Sequence, residues 1–204
     1  LELTNVHIDG AFTADMVDRI KYDGSERAKD YPTIGIGLWG VEQANFNNVR
    51  VERFISFGVM MFGGRLNWKG GVIGGMPGNG IVAQNDAEVE LEAKTIEEIW
   101  QGSRLVHPAY GLFMQAGGRL RTDRLHMLNV SGVSIMLNQG VKSIHRALTI
   151  ENTKEGFENL SLCGIWVQDV EGDLDDPAIQ LLGGDDGSES SIKRIGEAAL
   201  VAHN

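Results

Sequence analysis

Gly111-Leu-Phe-Met-Gln115, then Arg124-Leu-His-Met-Leu-Asn129, then Gly132-Val-Ser-Ile-Met136, then Ala147-Leu-Thr-Ile-Glu-Asn152: within residues 110–152 one unit occurs twice. The second turn starts about 21 residues after the first, and recurrence at such a period reads as a stacked array of turns. Each turn holds two short runs in which apolar residues alternate with others. Alternation puts every second side chain on one face, so each run reads as a strand with one buried side.

With glycine as the ruler the unit extends in both directions. Gly37-Leu-Trp-Gly-Val41, Gly58-Val-Met-Met-Phe62, Gly80-Ile-Val-Ala-Gln84 and Gly164-Ile-Trp-Val-Gln168 repeat the signature at Gly111 and Gly132. The steps are about 21 or about 31 residues, one rung length with or without a loop insertion. A second run follows each glycine: Val49-Arg-Val51, Val72-Ile73, Thr95-Ile96, Leu125-His-Met127, Leu148-Thr-Ile150 and Ile179-Gln-Leu181. Two ladders in step predict an all-β solenoid spanning residues 1–204 as a single domain, with insertions at 13–32 and 101–109. The first of these has Met16, Val17 and Ile20 at near-helical spacing, as in a short side-packed helix.

Asn5-Val-His-Ile-Asp-Gly10 carries a further signature, Asn-Val-x-Ile-x-Gly. Together with the ladder it resembles the right-handed parallel β-helix proteins of the pectin-lyase-like superfamily, over about residues 1 to 200. The resemblance implies a right-handed parallel β-helix. It also implies the roles found on that fold: polysaccharide lyase, glycoside hydrolase, sugar epimerase or phage tailspike, with an extracellular or virion-surface location. The chain contains neither Asp-Pro-His-Asp nor Gly-His-Gly, and Asn152-Thr-Lys154 and Asp185-Asp186 are its counterparts to the polygalacturonase motifs.

Composition narrows the partners. The 204 residues are 42% hydrophobic, enough for a continuous core, and glycine (27) far outnumbers proline (4). A formal charge of −10 argues against nucleic acid, which needs a basic footprint. It favours neutral or weakly charged glycans unless a local cation cluster meets an anionic one. No apolar run reaches the roughly 18 residues that would mark a membrane span. Leu1-Glu-Leu-Thr starts within a rung, so the chain is expected to be a piece of a larger protein. Cys163, the lone cysteine, lies in an apolar run and reads as a buried small residue. Gly70-Gly71 and Gly74-Gly-Met-Pro-Gly78 read as turns, and no helix follows them as a nucleotide loop requires.

Several residues are candidates for chemistry. Arg104 and His107, in the second insertion, suit a sugar hydroxyl or carboxylate, or else an ordinary polar loop. Arg119, Arg121, Asp123, Arg124 and His126 form the clearest cation cluster, with Arg121 and Arg124 expected to orient a sugar. The second ladder has a polar outward face including Arg50, Glu52, Glu97, His126, Thr149, Glu151 and Gln180. Rungs stack at about 5 Å, which would bring His126 near Glu151 one rung away, or one residue off in register, as an acid and base pair. Asp185 and Asp186, in a carboxylate-rich stretch, read as further acid groups, as Ca²⁺ ligands, or as turn residues. In the first ladder Trp39, Met60, Val82, Phe113, Ser134 and Trp166 are expected to point outward. That stripe, with Trp39, Phe113 and Trp166 as its aromatic members, is a sugar-stacking platform, a loop-covered surface or the contact face of a homotrimer. Gln84, Gln115 and Gln168 are expected to form amide rows beside it. Two functions follow: binding and degradation of a polysaccharide in a lateral groove, or a non-catalytic structural or adhesive spike.

Overall fold

A computed structural model describes residues 1–12, 33–100, 109–154, 162–172 and 177–203, and among them the only regular secondary structure is strand. Every strand pairing in it is parallel. One sheet has seven strands, in the order β19 (Ala198–His203), β16 (Cys163–Gln168), β13 (Val133–Asn138), β10 (Tyr110–Gln115), β7 (Asn79–Gln84), β5 (Phe57–Phe62) and β3 (Ile34–Trp39).

The other sheet has twelve strands and is folded along its length. Its first half stacks β1 (Glu2–Thr4), the start of β4 (Gln43–Glu52), the start of β6 (Arg65–Pro77), β8 (Glu88–Glu92), β11 (Arg119–Asp123), β14 (Lys142–Arg146) and β17 (Ile179–Leu182). Its second half stacks β2 (His7–Asp9), the ends of β4 and β6, β9 (Thr95–Trp100), β12 (His126–Val130), β15 (Thr149–Glu151) and β18 (Ser191–Lys193). The chain visits the seven-stranded sheet, the first half and the second half in that order, then returns. Such a circuit is compatible with a parallel β-helix.

A one-residue corner separates the two halves. Asn5, Asn48, Ala93, Arg124 and Ala147 take φ between 48° and 54° there, and Gly70 takes 63°. The left-handed residue redirects the strand while its N–H stays in the ladder: Ala93 N–H donates to Asp123 O at 2.8 Å and Arg124 N–H to Arg146 O at 2.9 Å. Of these six corners only one is glycine, so the corner leaves no regular glycine signal in the sequence.

Glycine is required elsewhere. Gly35, Gly58, Gly80, Gly111 and Gly164 stack at the start of the seven-stranded sheet. A Cβ on Gly80 would lie 2.4 Å from Gly111 O, and one on Gly58 2.7 Å from Gly80 O. This corrects the ruler at two places. In β3 the stacked glycine is Gly35, not Gly37, and in β13 Ser134, not Gly132, takes the position. Ser134 is therefore buried rather than outward, and Val133 belongs to an outer cluster rather than to the core. Of the second ladder, Ile179-Gln-Leu181 belongs to the first half of the folded sheet, and Ser191–Lys193 takes its place in the second half. The inward columns form one continuous core, in which Ile36, Val59, Ile81, Leu112, Ile135 and Ile165 are one row.

Candidate functional site

The strands of the first half carry short alternating sequences, Glu88-Val-Glu-Leu-Glu92 and Arg119-Leu-Arg-Thr-Asp123 among them. Alternation buries Val89, Leu91, Leu120 and Thr122 and sends the charged residues out. Parallel in-register pairing then stacks the outward residues into rows. One runs Glu2, Asn45, Asn67, Glu90, Arg121, Ile144, and the next Thr4, Asn47, Lys69, Glu92, Asp123, Arg146. Between these rows lies a groove of about 720 Å³, running across successive rungs.

Charges and amides in the groove hold one another in place. Lys69 Nζ is 2.9 Å from Glu92 Oε1, and Arg124 Nη2 is 3.1 Å from Glu92 Oε1 and 2.9 Å from Asp123 Oδ2. Arg121 Nη1 stands 3.7 Å from Glu90 Oε1, a looser pair. Asn67 Nδ2 and Gln43 Nε2 both donate to Asn45 Oδ1, at 2.9 and 3.0 Å. The side chains of Arg121 (57% exposed) and Glu90 (50%) remain open to solvent, so both can exchange their mutual contact for a ligand. Exposed pairs of this kind are worth about 0–1 kcal/mol, which makes that exchange inexpensive.

Arg121 and Arg124, read from the sequence as a sugar-orienting pair, thus lie on the groove and at its corner. Arg146 completes the cluster and reaches Asp185 Oδ1 at 3.4 Å. Asp185 is otherwise open to solvent, its side chain 95% exposed. Asp186 is a turn residue: its carboxylate accepts from Ser188 N–H at 3.0 Å and Ser188 Oγ–H at 2.5 Å, which holds its pKa below the usual carboxylate value.

His126 and Glu151 are on the second half, around the corner, and their expected pairing needs correction. In register His126 faces Thr95 and Thr149, while Glu151 faces Leu128. They are one rung and two residues apart, and two residues span about 6.6 Å of strand. Gln180 is not in their column but in the row of Arg121 and Ile144. Arg104 and His107 lie outside the described residues, as do insertion 13–32 and most of insertion 101–109.

Phe113 and Trp166 share one outward row of the seven-stranded sheet with Met60, Val82, Met136 and Val201. Trp39 pairs instead with Phe62, ring centroids 6.4 Å apart. Its indole nevertheless folds back over Gly37, the residue that begins the Phe113 row, so the ring completes the stripe. Tyr110 stacks on Phe113 at 5.1 Å. The expected amide row runs from Gln84 to Gln115 (3.4 Å) and on to Gln139 (2.9 Å), whereas Gln168 turns to Asp169.

No protein-family model matches this chain, nor does any curated protein or solved structure. The site therefore rests on its own geometry. Among the described residues no three His, Cys, Asp or Glu side chains converge to hold a metal ion. Asp173, Asp175 and Asp176 lie outside the described residues. Also among the described residues, no helix is long and apolar enough to cross a membrane.

Asn45, Asn67, Lys69, Glu90, Glu92 and Arg146 were not among the candidates read from the sequence. Except in β14, where Ser143 and His145 take the inward positions, their signal was present as alternation just after each glycine run, as in Gln43-Ala-Asn-Phe-Asn47, Arg65-Leu-Asn-Trp-Lys69 and Glu88-Val-Glu-Leu-Glu92. A ruler set on two ladders passed over this third one.

Proposed function

We propose that the chain is a right-handed parallel β-helix of the pectin-lyase-like kind that binds a polysaccharide along the groove of β8 and β11. The supporting observation is the pair of in-register outward rows, Asn45-Asn67-Glu90-Arg121 and Asn47-Lys69-Glu92-Asp123-Arg146. They offer amide, carboxylate and guanidinium groups at the strand spacing of about 4.8 Å, along a line that suits an extended chain of hydroxyls. Mixed signs fit a neutral or weakly charged glycan. Lyase or glycoside hydrolase activity would require a carboxyl that holds a proton near neutrality or an unpaired base. Glu92 and Asp123 are instead held in ion pairs, Glu92 with Lys69 and Arg124 and Asp123 with Arg124. Binding is accordingly the reading adopted for the groove.

The test is affinity electrophoresis through gels containing xyloglucan, galactomannan or starch, with Arg121→Ala and Glu90→Gln as variants. Losing one charge-assisted hydrogen bond, about 1.5–3 kcal/mol, corresponds to about a 10- to 100-fold weaker retention. Unretarded migration of the wild type in all three gels would end the proposal.

A second reading draws on the other face. The Trp39, Phe113 and Trp166 stripe, with Trp39 54% exposed, would serve a structural or adhesive spike segment as a homotrimer contact. Either role goes with an extracellular or virion-surface location. Sedimentation would give a trimer mass that Trp39→Ser reduces; a monomer at high concentration would exclude it.

A further inference from the structure

Behind the groove floor, Lys94 follows the corner residue Ala93 and runs inward until it is 1% exposed. Its Nζ lies 3.3 Å from Val49 O, 3.4 Å from Gly70 O and 3.7 Å from the centroid of the Trp68 ring. An ammonium has three N–H donors, and two carbonyls and an indole face are three acceptors. A neutral amine keeps only two donors, and its lone pair gains nothing from the electron-rich ring face. The charged groups on the surrounding strands are Arg50 and Glu52 of β4, Arg65 and Lys69 of β6, Glu88, Glu90 and Glu92 of β8, Glu97 and Glu98 of β9, and His126 of β12. None is buried, and none is bonded to the amine. Burial, with Arg50 adding a like charge, opposes the proton and pushes the pKa down to about 6. Geometry and burial thus pull in opposite directions, which leaves the two forms close in free energy near neutral pH.

We propose that Lys94 is a proton switch beneath the groove: protonated, it ties its own rung to the two before it through Val49, Gly70 and Trp68; neutral, it releases the Trp68 face. Trp68 lies between Asn67 and Lys69, whose side chains line the groove, so the clamp bears on the ligand surface. As regulation of that groove, the inference rests on the binding reading above.

The folded pKa, about 6, is below the ordinary lysine value of 10.5. Between these values the unfolded chain holds a proton that the folded chain lacks. Stability therefore falls as pH drops from 10.5 towards 6 and levels off below 6.

Two measurements on the full chain test the switch without any glycan. Tryptophan fluorescence of the wild type should show a one-proton transition that is absent from Lys94→Met, and the urea midpoint should rise with pH more steeply in the wild type than in the variant. Lys94→Gln serves if the methionine variant does not fold. The same transition in the variants, or none in the wild type between about pH 5 and pH 9, would overturn the switch. Retention of the wild type in the polysaccharide gels should then differ by about threefold or more between about pH 5 and about pH 8. Equal retention would detach the switch from the groove. Absence of retention at both pH values, with the fluorescence transition intact, would count against the groove alone.

Discussion

Replacing Gly80 with alanine puts a methyl group 2.4 Å from the Gly111 carbonyl oxygen of the next rung and 3.2 Å from Ile96 Cγ2. Ordinary carbon–oxygen contact is roughly 1 Å longer than that first distance. The rungs cannot separate to make room, because parallel hydrogen bonds on both sides fix their spacing at about 4.8 Å. The expected cost is the overpacking penalty of a rigid core, about 3 kcal/mol. For a chain of 204 residues that corresponds to a fall in melting temperature of about 6–12 °C. Gly40→Ala is the control: φ is +67° but nothing lies within 4 Å of the new methyl, so only the backbone term of about 1 kcal/mol applies. Ser134→Gly is the reciprocal change, made where a side chain already interrupts the glycine stack. Its Oγ is buried without a hydrogen-bond partner. Removing it should recover about 1–3 kcal/mol of desolvation against about 0.5–1 kcal/mol of added glycine entropy, a modest net gain. Urea unfolding followed by circular dichroism measures all three. A Gly80→Ala loss no larger than that of Gly40→Ala would refute the stacked-glycine argument.

Other consequences concern buried polar groups. Asn129, 6% exposed at φ 58°, accepts the N–H of Thr153 at 2.8 Å and of Lys154 at 2.9 Å. Asn129→Ala should cost about 2–4 kcal/mol in a urea titration, and a loss under about 0.5 kcal/mol would contradict those bonds. Cys163 is 1% exposed, its thiol donates to Ile165 O at 2.9 Å, and burial pushes its pKa up. Its reaction with a disulfide reagent should therefore be at least about 100-fold slower in the native protein than in urea. Rapid native labelling would show the thiol to be accessible.

The architecture was legible because its defining constraint repeats. Five glycines barred from carrying a Cβ, each followed by inward and outward residues in alternation, announce a stack of parallel turns. The register was less legible. Gly37 and Gly132 mimic the ladder two residues away from its true position, since Gly37 lies beneath the Trp39 ring and Gly132 packs against the Ala109 carbonyl. Each is held by a local contact that sequence spacing cannot distinguish from stacking. The site was legible only in its cations. Arg121 and Arg124 stood out as a cluster, but their partners Glu90 and Glu92 belong to the neighbouring rung, about thirty residues away. Which residues meet across rungs depends on in-register pairing, and a corner made from Asn, Ala or Arg gives no mark from which to count it. The same omission led to the pairing of His126 with Glu151.

Hydrogen–deuterium exchange of the full chain, with and without the best-retained polysaccharide, tests the central claim most directly. Binding in the groove should slow exchange in β8 and β11, at residues 88–92 and 119–123, while leaving 110–115 of the seven-stranded sheet unchanged. Protection confined to 110–115 and 163–168 would place the ligand on the aromatic stripe and contradict the groove.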